Sequence, residues 1–177
     1  MFTLILPAQE NENDEEWRVA LEHTGDVLQI AIPAGALIAT IAQKDWQGTK
    51  QFALSYGSSI LIMQSIKGII NKKRPDDRDL YDSFPSGHTT SAFSGASFIQ
   101  RRYGWKHGRP AYVLASLVAI SRIEGSLSWH DEWDILAGAV LGIGTTYIFT
   151  KPYEQSKVTV NFSSSKDGFL LSFNYRF

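Results

Sequence analysis

Gln47–Pro75, QGTKQFALSYGSSILIMQSIKGIINKKRP, is the stretch that decides the fold. Phe52 to Ile66 carries no charge, while Lys67, Lys72, Lys73 and Arg74 crowd the end just before Pro75. Proline lacks an amide proton and clashes in a helix interior, so a helix running from about Gln47 must stop near Lys73. Upstream, Asp26 to Gln43 reads as another helix. Before it, Asn13 or Asp14 can cap a first helix whose opening turn holds Glu15 and Glu16 and which runs to about His23. Downstream, Asp76 to Pro85 reads as a loop, and Ser86 to about Tyr103 as a helix. Gly104 and Gly108-Arg109-Pro110 mark a break, after which Ala111 to Ile123 and Asp131 to Thr150 are helical again. The expected fold is an all-α helical bundle of about six helices.

The tail has a different period. Val158, Val160 and Phe162 alternate with polar residues, as do Leu171, Phe173, Tyr175 and Phe177, and Ser163 to Gly168 supplies a turn. The expectation is a short C-terminal β-hairpin. Residues 1–152 would form the helical domain and 153–177 an extension of it. A lone hairpin is marginal in water, so it should pack on the body, a second copy or a membrane surface.

With 177 residues the chain fits one ordinary domain, and its lack of cysteine rules out disulfides and thiolate metal sites. Lysine and arginine number 17 against 18 acidic residues, so the net charge of -1 gives no support for a nucleic-acid partner. The uncharged runs Val27–Ala42, Phe52–Ile66, Ala111–Ile120 and Ile135–Phe149 are each shorter than the roughly 18 to 20 apolar residues that span a bilayer. Several contain Gln, Ser, Thr or Gly, and the mean hydropathy is -0.14. These features predict a bundle that is soluble or peripheral to a membrane rather than multi-spanning. Met1 to Pro7 lacks the basic region and apolar core of a secretory signal.

Three blocks carry chemistry. In KGIINKKRP, Lys67 and Arg74 are seven residues apart, about two helical turns, and two cations on one side suit a phosphate. The bland alternative is a solvated basic helix end. In FPSGHTT, Ser86 and Gly87 open a helix whose free amides can hold an anion, with His88 at its edge as a proton donor. Here the alternative is an ordinary serine cap. In the third block Arg122 precedes His130, and His130 and Asp134 are four apart on one helix face. A carboxylate on Nδ1 would fix the tautomer and leave Nε2 free to attack. A helix-start ion pair would look the same. Together the three blocks make a phosphoryl-transfer set.

These blocks, KGIINKKRP, PSGH, and SR followed by HDEWD, resemble in kind and order the motifs of the type 2 phosphatidic acid phosphatase superfamily. That superfamily also takes in bacterial non-specific acid phosphatases and vanadium haloperoxidases. The resemblance implies a phosphatase that works through a phosphohistidine without metal or other cofactor. It implies that Lys67, Arg74 and Arg122 bind phosphate, that Ser86 and Gly87 help cradle it, that His88 is the acid, His130 the nucleophile and Asp134 its partner. Seven residues, Ile123–Trp129, separate Arg122 from His130 where the family's motif usually has five. Only His130 is followed by Asp at the fourth position, so the difference reads as a two-residue insertion in the connecting loop. His23 and His107 match no motif position.

The expected substrate is a phosphomonoester or diphosphate, of a lipid or polyprenyl carrier in the bacterial periplasm or envelope. Tyr81, Phe84, Trp105, Trp129 and Trp133 lie near the motifs and could line an apolar entrance. Two other readings use the same sequence. A vanadate-dependent haloperoxidase would share the anion pocket, and halogenation with vanadate and bromide would reveal it. A non-catalytic envelope binding protein would keep a degenerate phosphatase body beneath its hairpin, with the insertion as its support.

Overall fold

The computed structural model describes residues 8–75, 79–127, 129–153, 158–165 and 168–175. Among them are five helices, α1 (Ala8–Ala42), α2 (Trp46–Ile70), α3 (Gly87–Tyr103), α4 (Trp105–Glu124) and α5 (Glu132–Phe149), and two strands, β1 (Val158–Ser165) and β2 (Gly168–Tyr175). The fold is mostly helical, with one helix fewer than the six expected. The break expected around Gly25 does not occur, and α1 runs straight through it as a 35-residue helix. Gly25 is there for packing: a Cβ on it would lie 2.0 Å from Ser121 Oγ on α4. Close approach between helices thus outweighs the roughly 1 kcal/mol that glycine costs a helix interior. Pro33 also lies within α1 and is buried against Gly95 of α3, where a Cβ would meet Pro33 at 2.8 Å.

Two further boundaries differ from expectation. α2 ends at Ile70 because Asn71 turns into the left-handed region at φ 47 and caps the helix onto the Lys67 carbonyl. The α3–α4 break falls at Gly104, with φ 87, whereas Gly108 and Pro110 sit inside α4. Gly108 again serves packing, since a Cβ there would lie 2.3 Å from Gln100.

α3 is the central helix and its interior is small and polar. Ala92 and Ala96 pack with Ile32, Ala111, Ala115 and Val118, and Phe98 joins Ala36 and Phe52 in a second cluster. Between the helices Thr40, Ser55, Ser59, Ser94, Thr145 and Thr146 are all buried. Gly138 and Gly142 bring α5 against the α3 backbone, where Cβ atoms would meet the Ser86 and Thr90 carbonyl oxygens at 2.7 Å. The large apolar side chains face outward instead: Val27, Ile30 and Ile38 on α1, Leu54 and Leu61 on α2, Val113 on α4, Val140 and Ile148 on α5. Residues Asp14–Ala42 form a helix long and apolar enough to cross a membrane.

The hairpin forms as the period-two pattern predicts, with Val158 opposite Tyr175, Val160 opposite Phe173 and Phe162 opposite Leu171. Among the described residues neither strand contacts a helix. Phe162 and Phe169 stack at 5.7 Å on an otherwise exposed apolar face. Phe177, expected in the second strand, lies outside the described residues.

Candidate active site

The N-termini of α3 and α5 and the C-termini of α2 and α4 meet at one end of the bundle, beside the middle of α1. Glu22, Asp26, Arg74, His88, Arg122, Trp129 and His130 line a pocket of about 150 Å³ there. A wider groove of about 350 Å³ continues from it between α1 and α2, past Lys67, Gly87 and Ser91 to Gln29, Tyr56 and Gln64. All eight sequence-predicted site residues therefore lie at this end.

Local capping fixes the His130–Asp134 pair. Asp131 caps α5 by accepting from the Trp133 and Asp134 amides at 3.0 Å, and Asp134 Oδ2 accepts the Asp131 amide at 3.2 Å in return. This reciprocal box holds the Asp134 carboxylate at the helix start. Its Oδ2 lies 3.4 Å from His130 Nδ1, which leaves Nε2 as the ring nitrogen without that carboxylate. Asp134 is fully buried, accepting from Ser83 Oγ and, at 2.9 Å, from Lys72 Nζ. Burial lowers the His130 pKa despite the Asp134 hydrogen bond, and the charges of Lys67 and Arg74 act in the same direction, so the imidazole is held neutral.

The longer α4–α5 loop closes on itself. The His130 amide donates to the Arg122 carbonyl at 3.2 Å, which keeps the two residues adjacent across the seven intervening ones. The loop is tied to α1: Glu22 accepts from Trp129 Nε1 at 2.6 Å and from Ser126 Oγ, and Arg18 donates to the Glu124 carbonyl at 3.0 Å. Trp129 in turn covers the Arg74 guanidinium at 4.7 Å. Of the aromatic residues expected near an entrance, Trp129 thus lines the pocket, whereas Trp105 sits at the far end of the bundle, stacked on Tyr112.

Lys67 and Arg74 do not share a helix, because α2 has ended before Arg74. Two backbone bonds instead pair the residues after α2 with those before Pro85, Arg74 to Leu80 and Ser83 to Lys72, and Asp82 joins the two cations. Arg74 holds the Asp82 carboxylate through Nε and Nη2 at 2.8 and 3.0 Å, and Lys67 Nζ donates to the Asp82 carbonyl. The Arg74 hydrogen bonds hold the Asp82 carboxyl below its usual range although burial opposes them. Arg122 is buried and bonds Ser121 Oγ, Asp26 and the Glu22 carbonyl.

The Ser86 amide expected to face an anion is engaged within the fold. The Ser86 amide donates to the Asp134 carbonyl at 2.9 Å and its Oγ accepts from Thr89, so Ser86 is the α3 cap and a strut to α5. The first-turn amides of α3, from Gly87 and His88, are the ones a helix leaves without intrahelical partners.

Sequence reasoning missed Lys72, Asp26, Glu22 and Ser83. Burial opposes the Lys72 charge, yet the hydrogen bonds to Asp131 and Asp134 raise its pKa. Lys72 stands inside the first motif and its charge was visible, but a pairing 59 residues away was not. Glu22 and Asp26, four apart on α1, are two acids among several, and nothing local sets them off from Asp14, Glu15 and Glu16 on the same helix. Four carboxylates around the pocket contact a cationic side chain or a histidine, Asp26 with Arg122 and His88, Asp82 with Arg74, Asp131 and Asp134 with Lys72, whereas the Glu22 carboxylate accepts from Trp129 and Ser126. His23 and His107 are exposed and outside the pocket. A cavity of about 390 Å³ at the other end of the bundle is lined by Arg102, Tyr103 and Tyr153. Arg102 there is paired with buried Asp45.

The family model described as the PAP2 superfamily matches residues 48–157. A lipid A 4'-phosphatase of Helicobacter pylori is 27% identical over 157 residues, which are 83% of this chain and 78% of that protein. A lipid A 1-phosphatase of Porphyromonas gingivalis is 31% identical over 123 residues, 60% of this chain but 27% of that longer protein. The crystal structure of LpxE from Aquifex aeolicus has the same fold, with a TM-score of 0.63 over 82% of this chain and 94% of that one at 21% identity. A transmembrane PAP2-type phosphatidylglycerolphosphate phosphatase from Bacillus subtilis gives a TM-score of 0.54 at 26% identity, over 82% of this chain and 86% of that one.

Proposed function

The chain belongs to the PAP2 superfamily, and from that premise we propose that it is a phosphatase acting on a lipid phosphate of the bacterial envelope, through a phosphohistidine and without metal. The observation that carries the reading is the meeting of His130 and His88 across one 150 Å³ pocket that Arg74 and Arg122 also line, with Lys67 in the adjoining groove. The lipid A phosphatase relatives support a phosphorylated lipid as substrate.

In this mechanism Lys67, Arg74 and Arg122, with the Gly87 and His88 amides, offset charge on the equatorial phosphoryl oxygens. His130, oriented through Nδ1 by Asp134, attacks phosphorus in line with Nε2 while His88 protonates the departing oxygen. Water then cleaves the N–P bond with His88 as base.

We read the bundle as embedded in the membrane, against the expectation of a soluble or peripheral protein. The reason lies in the distribution of residues. Thr40 in the first run, Ser55 and Ser59 in the second, and Gly138, Gly142, Thr145 and Thr146 in the fourth face the interior, where small residues let transmembrane helices approach closely. Although Gly35, Ser65, Ser116 and Gly144 face out, so do the large side chains Val27, Ile30, Ile38, Leu54, Leu61, Val113, Val140 and Ile148. The aqueous side of the site would be the periplasm, as the resemblance implied. The division into a helical domain, 1–152, and a hairpin extension, 153–177, belongs to the same proposal, with the hairpin's apolar face left for a membrane surface or a second copy.

Phosphate release tests the function: the purified chain in detergent, offered lipid phosphates, prenyl diphosphates and water-soluble esters, should turn over a lipid phosphate fastest. Release from none of them would refute it.

A further inference from the structure

One oxygen on α1 touches both the proposed acid and a proposed phosphate cation. Asp26 Oδ1 lies 3.1 Å from His88 Nε2 and 2.9 Å from Arg122 Nη1. One turn earlier on α1, the Glu22 carbonyl accepts from Arg122 Nη2 at 2.8 Å, so the same helix face holds the guanidinium at two points. This part of α1 precedes residues 48–157, which the family model matches, so the contact adds a residue from outside the three motifs.

We infer that Asp26 is a positioning residue for the acid step, holding the His88 ring with Nε2 toward α1 so that Nδ1 carries the proton given to the leaving oxygen. The inference rests on the reading of His88 as acid. Imidazolium donates from both nitrogens, and a carboxylate on one of them fixes the ring and selects the other for transfer. A buried guanidinium beside the ring disfavours a second positive charge, and the Asp26 carboxylate acts against that without cancelling it.

The protons balance. In the first step the N–P bond forms at His130 as the bond from phosphorus to the leaving oxygen breaks, and that oxygen takes the His88 Nδ1 proton. In the second, water attacks phosphorus, the N–P bond breaks and the water proton returns to Nδ1. Nε2–H stays on the ring and Asp26 stays ionised throughout.

The competing account is that Asp26 only neutralises Arg122 until phosphate arrives. Removing such a competitor would lower KM and leave kcat alone. A positioning role predicts the opposite split, and a dependence on the leaving group. Full-length protein in detergent would be assayed with p-nitrophenyl phosphate, whose leaving group needs no proton, and with a short alkyl phosphate, whose leaving group does. Asp26→Asn should lower kcat for the alkyl phosphate about tenfold or more, within the range that acid catalysis contributes, and slow phosphoenzyme formation from p-nitrophenyl phosphate much less. Asp26→Glu should restore part of the loss, and Asp26→Asn with His88→Ala should be no worse than His88→Ala alone. Asp26→Ser is a second uncharged variant should the Asn form not fold. An equal fall with both substrates, or a lower KM at unchanged kcat, overturns the inference. His88→Ala separates the two failures. If it lacks leaving-group dependence, the acid reading itself is wrong; if it has the dependence and Asp26→Asn does not, only the role of Asp26 is wrong.

Discussion

Asp134 Oδ2 closes the α5 cap on the Asp131 amide and lies 3.4 Å from His130 Nδ1, so one carboxylate oxygen serves the helix and the imidazole together. The geometry of the pair is therefore set by the start of α5 and not by a flexible loop. Lys72 donates to the other oxygen, Oδ1, and Ser83 Oγ donates to Oδ2 as well, and the two hold the carboxylate still.

That arrangement separates two variants. His130→Ala should abolish phosphoenzyme formation with every substrate, whereas Asp134→Asn should keep the fold and lower kcat by on the order of 10²–10⁴-fold through a misoriented ring. Trapping needs a neutral or alkaline quench, because acid cleaves the N–P bond. Normal turnover in His130→Ala would remove the proposed nucleophile.

The three motif blocks were legible in the sequence because their chemistry is local: a cation pair before Pro75, a small-residue helix start at Ser86, and His130 four residues before Asp134. The hairpin was legible for the same reason, since its period-two pattern needs no tertiary context. What the sequence hid is long-range. Gly25 looked like a helix end because its reason for being glycine, Ser121, is 96 residues away. The outward-facing apolar belt was hidden too, because hydropathy averages over a helix and cannot say which face its serines occupy.

Charge from side chains should suffice for turnover. Activity is expected to survive EDTA and to be competitively inhibited by vanadate, whose trigonal-bipyramidal form matches the in-line geometry. Activity lost to the chelator and restored by magnesium or zinc would replace the proposed mechanism.

The lowered pKa of His130 has a defined sign in stability. Unfolded His130 takes up a proton near pH 6.5 while the folded ring resists it, so the unfolded state binds more protons below that pH. The contribution of this residue is intact above about pH 6.5 and is lost as pH falls toward the folded value. Melting temperatures from pH 7.5 to 5 should therefore fall more for the wild type than for His130→Gln. Parallel curves would mean that the buried ring is not held neutral.

Deleting residues 158–177 tests the tail. Since neither strand contacts a helix, the deletion should leave kcat largely intact while changing solubility or membrane retention. A stable but inactive truncation would make the hairpin part of the site.

Gly25→Ala links the packing of α1 directly to the pocket. The added Cβ would lie 2.0 Å from Ser121 Oγ and 2.9 Å from an Arg122 guanidinium nitrogen, distances at which something must move. α1 and α4 are both long helices, so the displaced atoms are the Ser121 side chain and the guanidinium it accepts from at 3.1 Å. Overpacking of this kind costs roughly 1–3 kcal/mol, seen as a lower melting temperature. A functional effect should accompany it: with Arg122 shifted away from Asp26, KM for the phosphoester should rise more than kcat falls, because a cation is misplaced while the histidines stay put. Adding Ser121→Ala removes the nearest clash and should recover much of the stability, yet less of KM, since Arg122 then lacks one of its acceptors. If Gly25→Ala lowered stability and left KM untouched, Arg122 would not be holding the phosphoryl group.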